Sequence, residues 1–108
     1  MKITSDTNTL ISATFWYGDS FKIIGMVENK QLNLILSKEI IKEFFGVLHY
    51  DEIQEKIKDK NLEMKRTIAK IIDISSIVEP KLRFNACEDP KDNMVLECAV
   101  EGNVDYII

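Results

Sequence analysis

The chain has 108 residues, 45% of them hydrophobic, and a formal net charge of −4. That length suits one domain with a single modest core, and the acidic balance excludes a general basic footprint for nucleic acid while leaving room for an enzyme whose acids hold metal ions. No apolar run approaches the roughly 20 residues that span a bilayer, the N-terminus is not built like a signal peptide, and Cys87 and Cys98 lack CxxC spacing, so a cytoplasmic protein with two free, mostly buried thiols is expected.

In chain order, residues 2–5 read as a short strand and 9–14 as a short helix, with the loop FWYGDS at 15–20. Phe21, Ile24 and Val27 recur at helical spacing and predict a helix over 20–29. LNLIL (32–36) predicts a strand buried on both faces. Ser37 is placed to cap the next helix, with Glu39 in its first turn and Ile40, Ile41, Phe44, Phe45 and Leu48 as its apolar stripe. Residues 51–73 predict Lys-rich helix broken near 58–61, with Ile53, Ile57, Leu62, Arg66, Ala69 and Ile72 on the inward edge. SSIVEP (75–80) is a third strand, stopped by Pro80. EDPKDNMVLECAVEG (88–102) opens a helix with Asp89 as N-cap, Pro90 at N1 and Asp92 at N3, and Gly102 suits the C′ position. VDYII (104–108) is a fourth strand.

Strands that alternate with helices imply a parallel sheet covered on both faces. Ligands of such sheets bind beyond the carboxyl ends of the strands, where strand order switches. Asp6 follows the first strand, and an ionised carboxylate there is costly unless it is capped, paired or metal-bound, so it either caps the next helix or binds something. Asp92 opens the helix after the third strand. Glu43 lies about a turn and a half into the helix after the second, and its side chain leans back toward the same rim. Three carboxylates brought together repel unless a cation intervenes, and oxygen-only donors select Mg²⁺ or Mn²⁺. Such an ion activates water and neutralises charge on a phosphate, which suits phosphodiester hydrolysis.

SDTNTLISATFW (5–16), LILSKEIIKEFFGVL (34–48), VEP (78–80) and EDPKDNMVLECAVEGNVDYII (88–108) together resemble the PIN-domain ribonucleases, in that family's order and over nearly the whole chain. The resemblance is nearest to the branch of toxins in toxin–antitoxin systems. It implies a three-layer α/β/α fold around a parallel sheet of about four strands, in one domain spanning 1–108. It implies Asp6, Glu43 and Asp92 as catalytic metal ligands for Mg²⁺ or Mn²⁺, with Asn8 orienting Asp6. It further implies RNA as substrate, cut by metal-activated water, a cognate antitoxin protein as partner, and self-association as a homodimer. The family continues past its last strand into a segment that carries a fourth acid, whereas Ile108 is the last residue here. A weakened ribonuclease that associates through this end is therefore expected.

Other residues are read more plainly. Asp89 is read as a cap ahead of a ligand, Glu97 as a surface acid ahead of one facing the site, and His49 as a helix-end residue. Trp16 and Tyr17 are read as covering the core or touching a partner ahead of stacking on RNA bases, and the Lys-rich stretch 56–70 as a solvated face ahead of a set of phosphate contacts. The rival reading from another class is a shortened, non-catalytic PIN-type module that binds a partner such as an antitoxin. A haloacid-dehalogenase-like phosphatase would want a second Asp where Asn8 stands, and no GxxxxGK phosphate loop is present.

Overall fold

A computed structural model describes residues 1–15, 19–59 and 64–108. The expected roles of Trp16 and Tyr17 lie outside the described residues, as do part of the expected break at 58–61 and most side chains of the Lys-rich face. The elements run β1 (Lys2–Thr4), α1 (Thr7–Phe15), α2 (Asp19–Glu28), β2 (Asn33–Ser37), α3 (Lys38–Leu48), α4 (Asp51–Asp59), α5 (Met64–Ile74), β3 (Ser75–Val78), α6 (Pro90–Glu101) and β4 (Tyr106–Ile107). This is the expected alternation of strand and helix, in a PIN-like α/β/α arrangement with a four-stranded, all-parallel sheet.

The strand order is β3-β2-β1-β4. The chain steps from β1 outward to β2 and β3, then crosses back to place β4 on the other side of β1. Register aligns Ile3 with Leu34 of β2 and with Tyr106 of β4, and Ser37 with Val78 of β3. Right-handed crossovers then put α1 to α5 on one face and α6 on the other. Side-chain alternation agrees with that division. Ile3 and Leu34 share a small apolar cavity with Leu10 and Ile24 of α1 and α2. The neighbouring positions turn the other way, so the Thr4 hydroxyl lies 3.5 Å from the Cys98 thiol of α6, and that thiol lies 3.7 Å from the Ile35 carbonyl. Leu34, Ile35 and Leu36 are all buried, as a central parallel strand requires.

Local chemistry sets the helix starts. Ser37 Oγ accepts from the Ile40 amide at 3.1 Å, and Asp89 accepts from the Lys91 amide at 2.9 Å with Pro90 next in the chain. His49 ends α3, its ring Nδ1 lying 2.6 Å from the Phe45 carbonyl.

Four expectations are corrected. Gly102 has φ −82° and is not the left-handed residue; Asn103 is, at φ 51°. The β4 ladder is two residues rather than five, with Tyr106 and Ile107 exposed at the sheet edge. In α5 it is Ile71 that is buried, not Ile72, which shifts the inward edge by one position. Glu97 is buried rather than on the surface, because Arg83 and the Phe84 amide reach it.

Candidate metal centre

Asp6 sits in the turn from β1 to α1, beside the switch in strand order. Its Oδ1 accepts from the Thr9 amide at 2.7 Å, and its carbonyl accepts from the Leu10 amide at 3.0 Å. It is therefore the N-cap of α1, and the cap engages one of its two carboxylate oxygens. The two alternatives read from the sequence are compatible, because a capping carboxylate still has an oxygen to offer a ligand.

Glu43 lies on α3, six residues beyond the Ser37 cap, on the edge of that helix nearest α6. Its side chain is 18% exposed, and its Oε1 lies 3.4 Å from the Lys91 ammonium. Attraction to Glu43, and a hydrogen bond to it, hold the Lys91 ammonium above its ordinary range. Asp92 is at the third position of α6, exposed, its amide donating to the Asp89 carbonyl at 3.0 Å.

These residues meet in one cleft of about 70 Å³, lined by Asp6, Thr7, Asn8 and Glu43 on one side and Asp89, Lys91 and Asp92 on the other, over Ile40 and Val95. All four residues marked out in the sequence are thus on its walls. Asn8 is exposed there, while the atom that directly fixes Asp6 is the Thr9 amide. A second concavity, lined by Cys87, Leu96 and Ile107, shares Asp6, Asp92 and Val95 with the first. The two aspartates therefore form a divide reachable from the α3 side and from the β4 side.

The donor chemistry suits a hard divalent cation. Asp6, Glu43, Asp89 and Asp92 supply carboxylates, Asn8 an amide and Thr7 a hydroxyl, so oxygen donors far outnumber the one soft donor on the lining, the Met94 thioether. The placement is looser than the chemistry. Among the described residues, no three His, Cys, Asp or Glu side chains stand close enough together to enclose an ion as they are oriented. The two facts describe different things: one a shared concavity, the other oxygens converged on a point. Carboxylates without a cation between them repel, and here Glu43 is turned to Lys91. To face an ion in the cleft, Glu43 would have to leave that ammonium.

Outside the cleft, Arg83 ties the rim together. Its guanidinium donates to Glu97 Oε1 at 3.0 Å and pairs with Glu39 Oε1 at 2.9 Å, while the Phe84 amide donates to Glu97 Oε2 at 2.9 Å. Asn93, next to Asp92, is buried and takes both backbone groups of Cys87, accepting from its amide at 2.9 Å and donating to its carbonyl at 3.3 Å. These contacts fasten the segment before α6 and so fix the height of Asp92. Sequence reasoning missed Lys91 and misjudged Glu97. The signal for Lys91 was present, since it lies inside DPKDN, one residue from a proposed ligand. The partner of Glu97 is 14 residues upstream in a segment without periodic pattern, so nothing local pointed to it.

No curated protein and no solved structure matches the chain. The family model described as the PIN domain matches residues 2–108, and with an acid-lined cleft at the switch point of a parallel sheet, the chain belongs to the PIN-domain family.

Proposed function

We propose that the protein is a metal-dependent endoribonuclease, the toxin of a toxin–antitoxin pair, and that Asp6, Glu43 and Asp92 hold Mg²⁺ or Mn²⁺. The observation that carries this reading is the single cleft shared by those three acids and Asn8, brought to one rim of the sheet from the start of α1, from α3 and from α6. Membership of the PIN-domain family supports nuclease chemistry, and RNA is the substrate class it favours. Within the same reading the protein works in the cytoplasm, and its protein partners are a cognate antitoxin and a second copy of itself. Among the described residues no helix is long and apolar enough to cross a membrane.

The chain's own groups have distinct tasks. Asp6, immobilised by its bond to the Thr9 amide, presents a carboxylate whose direction is set before any ligand arrives. Glu43 approaches from α3 and Asp92 from α6, so together the three can surround an ion from separate elements. The Asn8 amide supplies a neutral hydrogen-bonding group on the same wall, suited to a phosphate or sugar oxygen. When bound, Mg²⁺ or Mn²⁺ lowers the pKa of a water molecule and neutralises charge that develops on the phosphate.

Cleavage of a mixed single-stranded RNA in Mn²⁺ tests this reading. Wild type is expected to cut, and Asp6→Asn to lose at least about a hundredfold in rate, the scale of removing one preorganised group at the reacting charge. Asn caps a helix as well as Asp does, so this variant keeps the fold. Equal rates for the two chains would refute the assignment. The second reading, a non-catalytic module that binds a partner protein, draws on the carboxylates that stand apart. It expects no cleavage by either chain at any Mn²⁺ concentration.

A further inference from the structure

Among the described residues that line the cleft, Lys91 is the only cation, facing Asp6, Glu43, Asp89 and Asp92. Its ammonium lies 3.4 Å from Glu43 Oε1. Yet Glu43 is one of the carboxylates a divalent ion needs, and it cannot turn to such an ion while keeping that contact without setting two cations side by side. The two side chains differ in freedom. Lys91 is 59% exposed on a flexible four-carbon stem, whereas Glu43 is 18% exposed. Lys91 is therefore the partner that can move.

An RNA phosphate approaching this cleft meets four carboxylates, whose field repels it. It needs a positive group nearby, and Lys91 stands beside the N-terminus of α6, where the helix dipole also favours an anion. We propose that Lys91 works in two positions: on Glu43, as seen here, and on a phosphate of the RNA backbone once Glu43 turns to a divalent ion. Metal loading and substrate capture are then coupled through one side chain. The inference deepens the ribonuclease reading above and rests on it.

Two opposed effects follow from removing the ammonium. The ion loses a competitor for Glu43 and binds more tightly, while RNA loses a phosphate contact and binds more weakly. General damage to the cleft would weaken both. The test uses the full chain with Lys91→Met and Lys91→Arg. The backbone amide that Asp89 caps is kept in both, and the side chain is exposed, so folding is preserved. Mn²⁺ alone is titrated by calorimetry and by melting temperature. A short labelled single-stranded RNA of mixed sequence is then titrated in Ca²⁺ over a range of KCl, and is checked to be intact afterwards. Lys91→Met is expected to bind Mn²⁺ about two- to fivefold more tightly, the range spanned by a partly exposed ion pair. It is expected to bind RNA about three- to tenfold more weakly, with the slope of log affinity against log salt smaller by about one. Lys91→Arg should restore RNA binding.

If Lys91→Met leaves RNA affinity and its salt slope unchanged, or weakens Mn²⁺ and RNA together, the proposal is overturned. Asp6→Asn separates that failure from failure of the ribonuclease reading. Loss of Mn²⁺ binding in Asp6→Asn beside unchanged RNA binding in Lys91→Met sinks the Lys91 proposal alone. Equal Mn²⁺ binding by wild type and Asp6→Asn sinks both.

Discussion

Glu97 shows how much one side chain can carry. It lies on α6, buried, with both oxygens used: one by the Arg83 guanidinium, the other by the Phe84 amide. Those bonds hold the segment before α6 against the helix that bears Asp92. Glu97→Ala strands a backbone donor beneath the rim and removes the anchor of Arg83. It is expected to cost about 1–3 kcal/mol in urea unfolding, the penalty for an unsatisfied buried group. Unchanged stability would mean that water replaces the carboxylate without loss. Arg83 also holds Glu39, whose pKa is lowered first by its own backbone N–H and then by the guanidinium, against the opposing effect of partial burial. A carboxyl with a depressed folded-state pKa stabilises the fold above its unfolded pKa, and that stabilisation is lost as pH falls through the folded value. Wild type and Glu39→Gln are therefore expected to differ in stability near neutrality and to converge as pH drops below the ordinary glutamate range. Unfolding midpoints at a series of pH values check this; parallel curves would exclude the linkage.

At the scale of elements, the end of α6 decides how closely that helix lies on the sheet. The Asn103 amide donates to the Val100 carbonyl at 3.2 Å and the Val104 amide to the Ala99 carbonyl at 2.9 Å. This is the Schellman pattern, with Asn103 in the left-handed position that a short polar side chain tolerates. Lys30 ends α2 in the same way, at φ 62°, its amide donating to Val27 and the next amide to Met26. Gly102 is needed for a different reason. A Cβ there would stand 2.6 Å from Ile35 Cγ2 and 3.2 Å from the Cys98 carbonyl, so its bare Cα is what lets α6 approach β2. Gly102→Ala would push α6 off the sheet by its C-terminal end. An expected loss of about 1–3 kcal/mol, the usual range for overpacking, is readable by thermal unfolding. A neutral or stabilising result would show that Ile35 can change rotamer to make room.

At the scale of the whole molecule, the reversal of strand order around β1 gathers the site. β1 lies between β2 and β4, so the turn after it opens where the chain changes direction, and α3 and α6 lean in from either side. On the proposed reading, an ion held by Asp6 of the β1–α1 turn, Glu43 of α3 and Asp92 of α6 would cross-link the fold and stabilise it by mass action. Mn²⁺ at about 100 times its dissociation constant adds about 2.7 kcal/mol. For a domain of this size that corresponds to a rise in melting temperature on the order of 10 °C. Asp6→Asn is expected to lose this rise, and to melt no lower than wild type without the ion, since one repelling charge is gone and the cap is kept. An equal shift in both chains would place the bound ion elsewhere.

What the sequence by itself determined is whatever neighbouring residues can encode. The kinds of element and their order, the caps at Ser37 and Asp89, and the acid at the end of β1 were all legible, because periodicity, turn chemistry and capping act within a few positions. The resemblance of DTN, SKEIIKE and DPKDN to the PIN domain added which distant acids to set beside Asp6. The tertiary structure alone decided the rest. Only the fold sets α6 against Ile35, which turns Gly102 from a helix-end residue into a packing requirement. Only the fold brings Arg83 onto Glu97 and makes a buried anchor of an acid that reads as exposed. Only the fold stands Lys91 on Glu43. The physical reason is common to all three: burial and ion pairing act between surfaces, and residues far apart in the chain become one surface only when the sheet has chosen its order.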